Sequence, residues 1–222
     1  MAGKILLWGA KAQARIIAAE LSRQGMPPDF IFDSTLDCPE FLTQAEFCNS
    51  KKSLLKVLPE CTRFVVCMGG AHGAQRAAVS DELMYKWGLE PLSVISPYAH
   101  VDQDAIVGKG VQIMAGVHIG LAAEIGNFSL INTNATVDHE TRVGRGVHIM
   151  GSAAVAGRIK VYDYATVGTN ATIIPDLAIG RGAQIGAGAL IRNDVEENAV
   201  MVGVPASVLR YQAPSIDLRI FD

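Results

Sequence analysis

The chain has 222 residues, half of them hydrophobic but only 6% aromatic, and a formal net charge of −3. Such a chain builds a sizeable core from Ile, Val, Leu and Ala rather than from rings. The absence of a Lys/Arg run argues against a nucleic-acid backbone as main partner, and no stretch reaches the ~18 uninterrupted apolar residues of a membrane-spanning helix.

The start, Met-Ala-Gly-Lys-Ile-Leu-Leu, is too short in apolar length for a signal peptide. The four cysteines, Cys38, Cys48, Cys61 and Cys67, show no CxxC spacing. A zinc site or disulfide framework is therefore not expected, and a reducing, cytoplasmic location is.

Residues 1–92 read as a small α/β domain. Ile5-Leu6-Leu7-Trp8 is a short apolar strand ending at Gly9. A helix follows with Ile16, Ile17 and Leu21 expected on its buried face, ending near Gly25. Phe30-Ile31-Phe32 is a second strand closed by Asp33. A short helix is expected from Ser53 to Leu58, a third strand from Phe64 to Met68 before Gly69-Gly70, and a helix over 71–87. Strands alternating with helices predict a small parallel, Rossmann-like sheet whose ligands bind beyond the carboxyl ends of the strands. That rule groups Gly9-Ala10-Lys11, Asp33-Ser34 and Gly69-Gly70 around one crevice. A dinucleotide is not indicated, because Gly-x-Gly-x-x-Gly is missing after the first strand.

From Ile95 onward the chain has a period of six. Every sixth residue from Ile95 through Val101, Val107 and Ile113 to Ile191 is Ile or Val, without a break. Two positions earlier stands a mostly small residue, as at Ala123, Ala135, Ala153 and Ala171; a Gly often follows, as at Gly108, Gly120, Gly126 and Gly168. The branched residue points inward, and the Gly is expected to allow a corner at φ > 0. Three short strands close one triangular coil of 18 residues, and each coil stacks on the last. Residues 93–210 are thus a parallel β-helix, with 211–222 as a tail.

Five histidines carry the candidate chemistry: His72, His100, His118, His139 and His148. His139 lies between Asp138 and Glu140. A carboxylate beside an imidazole favours its charged form and holds one tautomer, which suits a general base. The bland alternative is a surface histidine beside incidental acids. His148 follows after half a coil, so the two rings face different sides of one prism. They line one pocket only where two prisms pack side by side, as in a three-fold assembly.

Several segments resemble one family. They are Ile131-Asn132-Thr133, Asp138-His139-Glu140, Val167-Gly168-Thr169-Asn170 with Pro175, and Val202-Gly203-Val204-Pro205-Ala206. With the hexads, they make the whole chain similar to the sugar acyltransferases of the PglD and NeuD type. That resemblance implies a left-handed β-helix, a homotrimer with active sites between subunits, and acetyl-CoA as co-substrate without a metal. It implies His139 as general base, Glu140 tuning it, and His148, Thr169 and Ala187 at the coenzyme. Thr169 and Ala187 are 18 residues apart, one coil, so a pantetheine arm would run along them. In the first turn the family's Gly-x-x-Gly-His-Gly is replaced by Gly9-Ala10-Lys11-Ala12-Gln13-Ala14-Arg15. Gln13 stands where the histidine would be. Lys11 and Arg15 near a helix N-terminus favour a diphosphate or another anionic acceptor.

The expected reaction is N-acetylation of an amino sugar linked to UDP or dTDP. The acceptor subsite would comprise Gly9, Lys11, Gln13, Asp33, Ser34 and Gly69. The alternatives are a sugar O-acetyltransferase and a non-catalytic β-helix scaffold. A zinc enzyme on the same helix is disfavoured, because His118, His139 and His148 are scattered around the coil.

Overall fold

The computed structural model describes residues 3–221; Met1, Ala2 and Asp222 lie outside the described residues. Contacts divide the chain into two compact units. The first holds the described parts of Met1–Met68, Ala78–Val94 and Ile216–Asp222; the second holds Gly69–Ala77 and Ile95–Ser215.

In the first unit the elements are β1 (Lys4–Trp8), α1 (Ala12–Arg23), β2 (Phe30–Phe32), β3 (Glu46–Cys48), α2 (Lys51–Val57), β4 (Cys61–Val66), α3 (Gly73–Tyr85) and β5 (Glu90–Pro91). The first turn of α3 is counted with the second unit. The strands form one parallel sheet in the order β3-β2-β1-β4-β5. Residues 5–8, 30–32 and 64–66 are buried because the sheet's centre is covered on both faces. In α1 the buried face is Ala14, Ile17, Ala18 and Leu21, while Ile16 is 42% exposed. The expectation for Ile16 is corrected by geometry: at about 100° per residue, Ile16 points nearly opposite to the centre of the stripe formed by Ala14, Ile17, Ala18 and Leu21. The helix α2 starts at Lys51 rather than Ser53, because Ser50 and Ser53 cap it reciprocally. β3 and β5, both edge strands of two or three residues, were too short to read from pattern. Phe221 near the chain end stacks on Trp8 at 5.0 Å, within this same core.

The second unit is the β-helix. Its two-residue strands begin with β6 (Val94–Ile95) and end with β22 (Leu190–Ile191), and a hairpin follows, β23 (Ala199–Gly203) and β24 (Ala206–Tyr211). Three sheets make its faces. The first face carries Leu130, His148 and Thr166 in register; the second His100, His118 and Thr136; the third Glu124, Arg142 and Lys160. Each partner lies 18 residues on, as His148 − Leu130 shows. From Ile113 to Ile191 the hexad residues are at most 3% exposed, and the small residues two positions earlier point inward with them. Ile95 is 38% exposed because the end coil has no coil beneath it.

The corners differ from expectation in one respect. Positive φ recurs every six residues, but three positions after the aliphatic residue: Gly110, Gly116, Ala122, Phe128, Asn134, Glu140 and onward. The Gly directly after the aliphatic residue has another reason. A Cβ on Gly126 would lie 2.6 Å from the Gly144 carbonyl carbon, and one on Gly168 2.6 Å from the Ile185 oxygen. Those glycines let one coil approach the next.

Residues 69–77 are bound to the β-helix by a buried arginine. Arg76 is 1% exposed. Its Nε donates to the Phe128 carbonyl at 2.7 Å, and Nη2 to the Gly146 and Val147 carbonyls at 3.0 and 3.2 Å. Burial lowers its pKa to about 10, so it remains charged at neutral pH. A Cβ on Gly73 would fall on the Gly146 carbonyl oxygen, so only glycine lets this segment lie so close. Arg76→Met removes the donor that these carbonyls share and should destabilise the fold by about 3 kcal/mol or more. Urea unfolding measures this; a change within about 0.5 kcal/mol would show that the carbonyls find other donors.

Candidate functional site

His139 occupies the corner between the second and third faces, after Thr136–Val137 and before Arg142–Val143. Its backbone N–H donates to Asp138 Oδ1 at 2.7 Å, so Asp138 shapes the turn rather than the imidazole. The ring's Nδ1 meets Glu140 Oε2 at 3.1 Å. Because a carboxylate only accepts, Nδ1 carries the proton and Nε2 is left as the acceptor. Glu140 reaches its neighbour from a left-handed conformation, φ 57°. The His139 side chain is 42% exposed and that of Glu140 59%, so the pair is open to an incoming group.

The same corner position on the next two coils holds Arg158 and Asp176, at φ 59° and 65°. Arg158 clasps Asp176 with Nε and Nη2 at 2.7 and 2.8 Å, and the contact holds the Asp176 carboxyl below its usual range. Sequence reading missed this ion pair. The signal was available in the spacing: 140, 158 and 176 are one coil apart.

Thr169 and Ala187 are both exposed at the corner between the first and second faces. Gly188 donates its N–H to the Thr169 carbonyl at 2.8 Å, which stacks the two corners. Within one chain this line is not brought to His139; the whole second face separates the two corners.

His148 stands on the first face, and the structure places it in the interior, 3% exposed. Its Nδ1 lies 2.9 Å from the Gly70 carbonyl, so Nδ1 is the protonated nitrogen. Nε2 and the Thr166 hydroxyl one coil on are buried without a hydrogen-bond partner among the described residues. Within one chain the ring is thus covered by the Gly70 segment.

In the first unit, Gly9 and Asp33 meet at the carboxyl ends of β1 and β2. Gly9 donates to the Phe32 carbonyl at 2.7 Å, and Ala10 N–H to Asp33 Oδ2 at 3.1 Å. Asp33 Oδ1 accepts from the Thr35 N–H and hydroxyl at 2.9 and 2.7 Å. Gly9 has φ 114°, and a Cβ there would lie 3.0 Å from the Cys67 carbonyl oxygen. Lys11 is the N-cap of α1 and makes no side-chain cap, and the first turn holds no acid. Lys11 and Ser34 are exposed and Gln13 half-buried. Gly69 belongs to the second unit. Among the described residues no group of three or more His, Cys, Asp or Glu side chains is arranged to hold a metal ion.

The His148 environment has a consequence for stability. Burial, and then the Arg76 charge, push its pKa down from the ordinary 6.5 to about 4. Between these values the unfolded chain takes up a proton that the folded chain refuses. The contribution is therefore present above about pH 6.5 and is lost as pH falls toward about 4. From about pH 7 to about pH 4.5 the wild type should lose about 2 kcal/mol more than His148→Gln. Urea titrations at the two pH values check this; equal losses would mean that the ring is solvated.

No protein-family model matches the sequence, and no curated protein matches it. Solved structures do. PerB from Caulobacter crescentus, in complex with CoA and GDP-perosamine, is 26% identical with a TM-score of 0.83, covering 94% of this chain and 98% of that one. The acetyltransferase domain of PglB from Neisseria gonorrhoeae, in complex with acetyl coenzyme A, is 24% identical with a TM-score of 0.82, covering 93% and 98%. WeeI from Acinetobacter baumannii is 24% identical with a TM-score of 0.83, covering 94% and 100%. The last two share the fold; the first adds sequence identity over nearly the whole chain. By architecture and extent the chain is similar to these three proteins, sharing their fold over more than nine-tenths of its length.

Proposed function

We propose that the protein transfers the acetyl group of acetyl-CoA to the amine of a nucleotide-linked amino sugar. The observation that carries this reading is the His139–Glu140 pair, with Nδ1 committed at 3.1 Å and Nε2 left to accept a proton. The similarity to PerB, whose structure contains CoA and GDP-perosamine, supports the donor and the acceptor class.

The sugar amine attacks the thioester carbonyl while His139 Nε2 takes its proton. A backbone N–H beside the groove stabilises the oxyanion. The C–S bond then breaks, and the proton passes from His139 to the departing thiolate, giving free CoA and the N-acetyl sugar. Glu140 keeps the ring in the required tautomer and stabilises the imidazolium.

Thr169 and Ala187 form the coenzyme line. Because that line and His139 occupy different corners of one chain, we assign the active site to two copies in a homotrimer. His148 serves the coenzyme side indirectly, by holding the Gly70 turn. Residues 1–92 are read as a Rossmann-like substrate domain. Its Gly9, Lys11, Gln13, Asp33 and Ser34 recognise the nucleotide. The β-helix spans 93–210 with the left-handed sense of its class, and the protein works in the cytoplasm.

The test is thiol release from acetyl-CoA with a panel of GDP-, UDP- and dTDP-linked amino sugars. One of them should be turned over, and His139→Ala should lower kcat by about 10²–10⁴-fold. Turnover of hydroxyl acceptors alone would replace N- by O-acetylation. No turnover of any acceptor would favour a scaffold, and equal rates in wild type and variant would remove His139 from the reaction.

A further inference from the structure

One coil after His139, the same corner holds Gly157 (139 + 18 = 157). The imidazole lies against it. A Cβ on Gly157 would sit 2.5 Å from His139 Nε2, 2.6 Å from Cε1 and 3.0 Å from Cδ2. Those three atoms are the edge of the ring that carries the proton-accepting nitrogen. Any side chain at 157 must move that edge.

Other corner glycines answer to the backbone instead. At Gly126, Gly168 and Gly180 a Cβ would meet main-chain atoms of the next coil at 2.5–2.6 Å. Main chain locked in a ladder cannot yield. At Gly157 the three nearest atoms all belong to one rotatable side chain. Gly157 also lies outside the left-handed region, so its backbone suits any residue. The fold therefore has no need of glycine at 157, whereas the present seat of the His139 ring does.

We propose that Gly157 is a positioning residue for His139: its missing side chain fixes where Nε2 stands. This rests on His139 being the general base. The remaining restraints on His139 are Glu140 at Nδ1, Asp138 at the backbone N–H, and the Arg158 N–H on the His139 carbonyl at 2.9 Å. The charged groups around the ring are thus Asp138, Glu140, Arg158 and Asp176, with the last two paired to each other. A Cβ at 157 turns the ring about χ1 or χ2. It then leaves Glu140 or tilts Nε2 away from the amine. A displacement of about 1 Å in a reacting group costs on the order of 10²-fold in rate.

The experiment is Gly157→Ala, with Gly126→Ala as contrast. Gly157→Ala should keep the wild-type unfolding midpoint and lose about 10- to 100-fold in kcat, with both KM values within about threefold. Its His139 ring resonances should shift in NMR while those of His118 stay. Gly126→Ala should instead lower the unfolding midpoint. In a His139→Ala background, Gly157→Ala should have no further effect, because its action passes through the ring. Wild-type kcat with unmoved His139 resonances would overturn the proposal. So would an equal loss in the His139→Ala background, which would place Gly157 against the substrate. If no amino sugar is acetylated, the proposed reaction fails, and the NMR comparison alone still decides whether Gly157 seats the ring.

Discussion

The β-helix depends on a backbone ladder that joins each coil to the residue 18 further along the chain, with strands about 4.8 Å apart. That spacing is fixed by the N–H···O=C bond, and everything else adapts to it. Inside the coil, the branched aliphatics of the hexad share the core with the inward residues two positions earlier, many of them alanine. At corners such as Gly126 and Gly168, the residue after the aliphatic lies too close to the next coil for a Cβ. Three positions on, the chain turns back through a left-handed conformation that even Phe128, Glu140 and Tyr164 adopt. The ladder's many bonds hold these residues in a backbone region that costs about 1–3 kcal/mol each.

The same ladder arranges the chemistry in columns. Residues one coil apart stand over one another, so a side chain's nearest neighbour is often 18 positions away. His139 rests on Gly157, Arg158 clasps Asp176, and the rings of His100 and His118 stack at 4.8 Å. The left-handed corner that positions Glu140 beside His139 also aligns Glu140 with Arg158. Arg158 has a bidentate partner above it in Asp176, which leaves the Glu140 carboxylate to the imidazole.

Residues 69–77 show how the interior treats charge. Arg76 donates to the carbonyl oxygens of Phe128, Gly146 and Val147, dipoles that the corners of the coils present. His148, close to that cation and removed from water, stays neutral and offers its Nδ1 proton to Gly70. A group whose charge is excluded in this way is suited to structure rather than to proton transfer. His139, half-open at its corner, has the opposite environment. Two histidines separated by nine residues thus take different parts because one faces a covering segment and the other a corner.

The sequence alone determined the β-helix, its period and its inward residues, because a six-residue repeat is a local pattern that stacking converts directly into structure. It also singled out His139 and Glu140, adjacent in the chain, and the parallel sheet of the first unit. Other features were decided only in three dimensions. The reason for the corner glycines, the burial of His148 and the Arg76 anchor all arise between segments far apart in sequence, where no local pattern carries a signal. Ile16 faces outward because helical geometry, rather than hydrophobicity, assigns the faces of α1. Gly157 is the intermediate case: its place above His139 was implicit in the period of 18, but only the position of the ring showed what its missing side chain is for.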